Sequence, residues 1–376
     1  MSHDQTSPTP EHFLTLIRRQ QRGRLKIYLG FAAGVGKTYE MLQEGQRLKR
    51  RGVDVVIGVV ETHGRAETVA QVGDLERVPR RRIEYRGVVL EELDFDAVLA
   101  RRPAVALIDE LAHTNAPGSP HSKRYQDVEA LLNAGINVIS TLNIQHLESL
   151  YDLIAQATGV KVKERVPDYI IGMADQLVNV DLSAEDLRER LAAGKIYPAE
   201  RIDRALESFF TPSNLTRLRE FALEEVAHRL DRRRSSLEEA SAPSTSTRVM
   251  ICLSSRGPNV ERLLRKGARL ADRLSASWYA VYIQTPQEDL TRISAAVQRQ
   301  ISNTLELVQQ LGGTPMTFKG HDVVATMAAF AREYGITHIV LGRSRQPWYR
   351  RWFGMSVLDR LLQELPNTDV LVVGIE

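Results

Sequence analysis

Cysteine is almost absent. Cys252 is the one thiol in 376 residues, so no internal disulfide can form and a reducing cytoplasm is the natural setting. Long apolar runs are missing too: no stretch approaches the roughly 18 residues that cross a bilayer. The opening "MSHDQTSPTPEHFL" lacks the apolar core of a signal peptide. Aromatic residues make up only 6% of the chain. None is interleaved with the basic clusters "RRQQRGRLK", "LKRRG", "RVPRRR" and "RLDRRR", as a single-strand binder would need for stacking. Nor does one sign of charge dominate, with a net value of +3. The basic clusters therefore read as solvated helix faces, and no nucleic-acid partner is expected.

What is present is alternation. From Leu25 to about Ile144, short apolar runs ("LKIYLG", "VDVVIGVV", "AVALIDE", "INVISTLN") are separated by helical patterns starting near Lys37, Arg65, Asp94 and Arg124. Continuous apolar strands divided by helices predict a parallel sheet covered on both faces. A helix is expected over "IQHLESLYDLIAQATG", a last strand over "QLVNVDL", and further helices over "SAEDLRERLAAG", "PAERIDRALESFF" and "PSNLTRLREFALEEVAHRLDRR". Ser183 and Asp186 occupy capping positions at the first of these three. The small polar stretch "SSLEEASAPSTST" reads as a linker over 235–247. Beyond it the alternation restarts with strands "RVMICLSS", "SWYAVYI", "TPMTFKG", "THIVLGRS" and "DVLVVG", and with a long helix from about Glu288 to Leu311. The expected organisation is a tail over 1–22, an α/β domain over 23–234, a linker over 235–247 and a second α/β sandwich over 248–376.

The chemistry is concentrated in "GFAAGVGKTYEML", directly after the first strand. Gly36, Lys37 and Thr38 form the end of a phosphate-binding loop, placed between a strand and a helix as its physics requires. Gly34 and Gly36 let successive backbone N–H groups turn inward, and the helix N-terminus favours a polyphosphate. Lys37 supplies a point charge and Thr38 a hydroxyl for Mg²⁺. The usual first glycine is missing, because Phe31 stands in its place and Gly30 comes one residue early. Ala32 and Ala33 are small enough to keep the approach open, so the expected nucleotide contacts are Gly30, Ala33, Gly34, Val35, Gly36, Lys37 and Thr38.

Downstream, "VALIDE" ends an apolar strand in two acids. Asp109 is the expected partner of the Mg²⁺ shell, together with Thr38, and Glu110 the acid placed to polarise an attacking water. Thr141 and Asn143 end the next strand in "STLNIQH", where ligands gather in open parallel sheets; a helix cap is the alternative reading. Glu61, Thr62, His63 and Arg65 cluster after the second strand, with Thr62 as a candidate cap. The stretch "ELAHTNAPGSPHSKR" must be a loop, and it carries His113, His121, Lys123 and Arg124. No zinc-type ligand spacing accompanies the two histidines, so a mobile phosphate-side loop is expected.

Taken together, "GFAAGVGKTYEML", "VVETHGRAET", "LIDELAHTNAPGS", "KRYQDVEALLNAGINVISTLNIQHLESL" and "VPDYI" resemble the N-terminal cytoplasmic domain of the KdpD family of bacterial potassium-responsive sensor kinases. The resemblance runs from about Arg22 to Arg233, and the second unit resembles the universal-stress-protein domain that follows in that family. It implies an ATP-binding, signal-transducing, cytoplasmic module linked to potassium or osmotic homeostasis. Full-length relatives continue into membrane helices and a histidine-kinase core. Taken as a complete chain, this one lacks a phosphoacceptor helix, and the resemblance implies a partner kinase or KdpD-type membrane protein that it biases, with recruitment to the membrane through that partner. In the second domain, Gly342 and Ser356 fit the family's ATP pattern, whereas Arg345 and Met355 stand where glycines are expected. A cyclic di-AMP site, which the resemblance implies for some members, would use Ser255 and Tyr282; Ala280 also matches, while Gly257, Trp278 and Tyr279 depart. Three functions remain open: an ATP-responsive regulator, a slow ATPase or phosphotransferase, and a stress-protein scaffold with a degenerate first site.

Overall fold

The computed structural model describes residues 22–239, 247–254, 259–288, 293–343 and 357–374. The expected N-terminal tail, the residues 240–246 of the expected linker, Ser255, Gly257, and the segment holding Arg345, Met355 and Ser356 lie outside them. The described residues fall into two compact units, each α/β. None of the described helices is long and apolar enough to cross a membrane.

The first unit is built on a six-stranded sheet. Its strands are β1 (Leu25–Gly30), β2 (Val55–Val59), β3 (Glu76–Arg77), β6 (Val105–Ile108), β7 (Asn137–Asn143) and β8 (Gln176–Val180), ordered β3-β2-β6-β7-β1-β8. Every pairing is parallel. The inner strands β2 and β6 are buried along their whole length, which is why they read as unbroken apolar runs rather than alternating ones. Helices α1 (Lys37–Arg50), α2 (Ala66–Val72), α3 (Phe95–Arg101) and α4 (Arg124–Asn133) form the crossovers. Met41 and Leu42 of α1 pack with Ile57, Leu107 and Ile139 from three neighbouring strands. In register, Gly30 stands beside Asn143 and Val180, and Ile108 beside Ser140. The chain segments leaving β1, β2, β6 and β7 therefore emerge along one edge, where parallel α/β sheets collect their ligands.

Two features of this unit escape the pattern of apolar runs. Strand β3 is only two exposed residues. A separate antiparallel hairpin, β4 (Arg81–Tyr85) and β5 (Val88–Glu92), turns through Arg86 and Gly87, both with positive φ. That geometry suits a two-residue hairpin turn, but Arg-Gly is not one of its strong sequence signals.

After β7 the expected helix opens as two short 3₁₀ turns, Ile144–His146 and Glu148–Leu150, before α5 (Tyr151–Thr158). Then follow α6 (Asp168–Met173), α7 (Ala184–Ala192), α8 (Ile202–Glu207) and α9 (Pro212–Glu239). Ser183 caps α7 by accepting from the Asp186 amide at 3.0 Å, and Pro212 opens α9 where its missing N–H costs nothing. Helix α9 runs on to Glu239, so the stretch read as linker from 235 is helical over its first residues. Ser-Ser-Leu-Glu-Glu contains no breaker, and two glutamates and a leucine are adequate helix formers.

In the second unit five parallel strands, β9 (Arg248–Leu253), β10 (Ser277–Gln284), β11 (Thr314–Lys319), β12 (His338–Gly342) and β13 (Asp369–Val373), are ordered β11-β10-β9-β12-β13. Alternate residues of β9 feed two cores. Val249, Ile251 and Leu253 pack with α10 (Val260–Arg273) and α11 (Ala295–Gln310). Met250 and Cys252 pack with α12 (Val323–Glu333) and α13 (Val357–Glu364) on the other face. This period-2 division makes the sandwich. Helix α11 begins at Ala295 with Ser294 as its cap, later than the expected start near Glu288.

Candidate functional site

At the edge where the strand ends meet lies an open cleft. Its walls include Ala33, Gly34, Lys37, Thr38, His63, Arg65, Asp109, Glu110, Thr141, Asn143 and His146. Most of the residues expected from the sequence thus converge. Gly30, Val35 and Gly36 are not among the lining residues; they shape the loop from beneath.

The loop explains its own departure from the usual pattern. Phe31 is only 1% exposed and belongs to the core. A Cβ on Gly30 would come within 2.6 Å of Val35 Cγ2 and 2.9 Å of Lys37 Cδ, so the glycine that permits the tight exit from β1 is Gly30. Gly36, with φ of 109°, caps α1 in a left-handed conformation that a side chain would oppose. Lys37 is buried, and its Nζ donates to the Ala32 carbonyl at 3.0 Å, folding back onto its own loop. Burial draws the Lys37 pKa down to about 8, against the opposing pull of Asp109.

Asp109 is the hub. Thr38 Oγ1 donates to its carboxylate at 3.1 Å, Thr141 Oγ1 donates to Oδ1, and the Glu61 and Glu110 amides donate at 3.2 and 3.1 Å. Removal from water nonetheless holds the Asp109 pKa above the ordinary carboxylate range, with Glu110 adding to the rise and the Thr141 hydroxyl opposing it. Such a group gains from a nearby cation. Thr38 and Asp109 are accordingly a fitting donor pair for Mg²⁺, with Asp109 saturated enough to act on the ion's water shell.

Glu110 has positive φ, 55°, and its carboxylate pairs with His63 Nε2 at 3.2 Å. The hydrogen bond to His63 holds Glu110 below the usual carboxylate range, and the same bond raises His63. Thr62 does not cap the following helix; Arg65 occupies the cap position, and the Arg65 amide donates to the Thr62 carbonyl. Asn143 Oδ1 is buried without a hydrogen-bond partner among the described residues, which leaves an acceptor ready at the end of β7.

The segment from His113 to Arg124 is anchored rather than loose. Glu92, at the end of β5, accepts from Arg124 Nη2 at 3.1 Å, from the Ala116 amide at 2.9 Å, and bonds His113 Nε2 at 3.1 Å. Arg124 Nη1 donates to the Asp109 carbonyl at 3.2 Å. His121 and Asn115 both bond Asp127, at 2.7 and 2.6 Å, so the imidazoles of His113 and His121 both serve carboxylate networks. The sequence analysis names neither Glu92, which anchors this segment, nor His146, which lines the cleft. Glu92 lies in the hairpin that the apolar pattern misses, whereas His146 sits in "STLNIQH", within reach of the strand-end argument.

In the second unit the strand carrying Tyr282 is core. Tyr282 and Trp278 are buried on one face, and Tyr279 joins Phe330 and Tyr334 on the other, with ring centroids 5.7 Å from each. These rings pack within the layers on either side of the sheet. Tyr282 Oη donates to Glu288 at 3.4 Å, beside a narrow hollow lined by Ser254, Gln300 and Thr304.

The fold and cleft define a chain of two parallel α/β units, the first bearing a Gly-Lys-Thr loop between strand and helix. Residues 21–230 match the family model described as the osmosensitive K⁺ channel His kinase sensor domain, and residues 245–374 match the universal stress protein family. The chain belongs to the KdpD family. It is 44% identical to the sensor protein KdpD of Escherichia coli over 382 residues, covering 100% of this chain and 42% of that one. A Mycobacterium tuberculosis KdpD is 44% identical over 374 residues, covering 97% and 42%. A Synechocystis protein named for the same sensor is 43% identical over 354 residues, covering 94% of this chain and 95% of its own length. The chain thus spans under half of the Escherichia coli and Mycobacterium relatives. Among solved structures, a universal stress protein in complex with cAMP covers 35% of this chain at 18% identity and a TM-score of 0.28.

Proposed function

We propose that the first unit is a Mg-ATP-binding sensory module, whose occupancy alters how the chain acts on a KdpD-type kinase in potassium or osmotic signalling at the cytoplasmic face of the membrane. The observation that carries this reading is the shared hydrogen-bond set of Thr38, Asp109 and Thr141 beside the buried Lys37. A buried ammonium with a depressed pKa and a buried carboxylate with a raised one are both left uncomfortable by the fold itself. A polyphosphate would compensate Lys37, and Mg²⁺ held through Thr38 and the Asp109-bound shell would compensate the acid. The backbone of Ala33 and Gly34 and the helix N-terminus at Gly36 would take the phosphates, with Asn143 as a further polar contact.

A slow ATPase is the second reading, favoured by Glu110, which faces the cleft with its orientation set by His63. The two separate in a single-turnover measurement on the purified chain. A sensor binds Mg-ATP and releases it largely intact. A working ATPase yields ADP at a rate that falls at least about a hundredfold in Glu110→Gln, the size expected for a lost general base. Absence of Mg-ATP binding would contradict both. Among the described residues a second-domain nucleotide, cyclic di-AMP included, would draw on Ala280, Gly342 and Tyr282, and the Tyr282 side chain is buried.

A further inference from the structure

Among the described residues that line the cleft is a cation that the phosphate-loop chemistry leaves unused. Arg65 lines it together with Lys37, Asp109 and Glu110. Its Nη2 donates to the Ile196 carbonyl at 3.2 Å, while its Nε is buried without a partner among the described residues. A guanidinium spending one bond on a neutral carbonyl, in a site where burial already lowers its pKa, has capacity in reserve.

What Arg65 holds is a strap laid over the phosphate loop. Arg190, at the end of α7, donates to the Gly34 carbonyl at 3.3 Å. The Ile196 side chain covers Gly34 so closely that a Cβ there would lie 2.2 Å from Ile196 Cδ1. Lys195 and Arg190 both pair with Glu67, at 2.9 and 3.7 Å, on the helix that Arg65 caps. Gly194, with φ of 72°, lets the chain turn back at this point.

We propose that Arg65 reads the terminal phosphate of the bound nucleotide and in doing so lets go of Ile196, so that a triphosphate, and not a diphosphate, loosens the strap 190–197 from the phosphate loop. The exchange is favourable in kind, because a guanidinium–phosphate bond is charge-assisted and a guanidinium–carbonyl bond has charge on one side only. It also meets the thermodynamic condition for a switch: the terminal phosphate must have different free energies of interaction with the held and released states. The strap is the moving part, and its movement converts nucleotide identity into a surface change within the first unit. This inference rests on nucleotide binding at the cleft.

Amide hydrogen exchange of the full chain tests it, with Mg²⁺ plus a non-hydrolysable ATP analogue or ADP, alongside calorimetric affinities for both. In the wild type, exchange over 190–197 should rise with the triphosphate and stay at the unliganded level with ADP, and the triphosphate should bind about tenfold tighter. Arg65→Lys and Arg65→Ala should erase both differences while still binding ADP. Lysine keeps the charge without the fork, so it serves if the alanine variant folds poorly. Glu67→Gln, which weakens the Lys195 anchor, should raise exchange without nucleotide and keep the triphosphate preference. Binding of the triphosphate without any rise over 190–197, or a preference that survives Arg65→Lys, overturns the proposal and leaves nucleotide binding standing. Failure of the wild type to bind either nucleotide overturns both.

Discussion

Gly30 and Val35 approach so closely that a Cβ on the glycine would lie 2.6 Å from Val35 Cγ2. This contact, five residues apart in the chain, closes the phosphate loop and identifies Gly30 as the residue that makes the tight turn possible. Phe31 has a different role, filling the core beneath.

The two residues should therefore respond differently to substitution. Gly30→Ala should weaken Mg-nucleotide binding at least about tenfold, since Val35 or the Lys37 stem must shift. Phe31→Ala should instead cost about 3–5 kcal/mol of stability, as a large buried ring is lost. Calorimetry and denaturant unfolding on both variants check the division; equal stability losses would contradict it.

Lys37 should destabilise the unliganded fold. Its folded pKa of about 8 lies below its ordinary value of 10.5, so between those values the unfolded chain binds more protons and stability rises with pH. The penalty is fully present below pH 8 and fades as pH approaches 10.5. Lys37→Met should thus gain about 1–2 kcal/mol at pH 7, after allowing for the lost bond to Ala32, while abolishing nucleotide binding. The gain should shrink as pH rises, which unfolding curves at pH 7 and 9.5 would show.

Glu92 should be a stability residue with consequences for the cleft. Glu92→Ala leaves the Arg124 guanidinium buried without its carboxylate, at a cost of about 3–5 kcal/mol. The Glu92 pKa lies below its ordinary 4.5: burial raises it, but the hydrogen bond from His113, the Ala116 amide and the charge of Arg124 outweigh that. Its stabilisation is therefore full above pH 4.5 and is lost as pH falls through the folded value. Glu92→Gln should flatten the acid side of the stability profile.

Cys252 gives a clean probe of the second unit. Burial pushes its thiol up to about 12, so it should stay unlabelled by thiol reagents in the native protein and react only as that unit unfolds. Fast labelling of the folded chain would contradict the placement of β9.

Much of this was legible in advance, for identifiable reasons. The buried strands β2 and β6 announce themselves as apolar runs, and Gly34, Gly36, Lys37, Thr38 and Asp109 are tied to their chemistry by residue type. The strands of the second unit all fall where the alternation puts them. The β4–β5 hairpin escapes the pattern because most of its residues are exposed and its Arg-Gly turn is weak as a signal, and the buried Glu92 at its end escapes with it. The anchoring of the His113–Arg124 loop depends on that same residue from a distant strand, which no local pattern carries. Ile196 and Arg190 were equally hidden, since their meaning comes from lying against Gly34, far away in sequence. The burial of Tyr282 beside Trp278, with Tyr279 on the opposite face, follows from the period-2 alternation of a strand covered on both faces, which the family resemblance alone does not carry.

The central claim is that the first unit holds a Mg-nucleotide on the loop ending in Lys37 and Thr38. Titrating Mg-ATP calorimetrically into the wild-type chain and into Lys37→Ala, both shown to be folded, addresses it most directly. The account predicts saturable one-site binding in the wild type and loss of that binding in the variant. Equal binding in the two proteins, or none in the wild type, would contradict it.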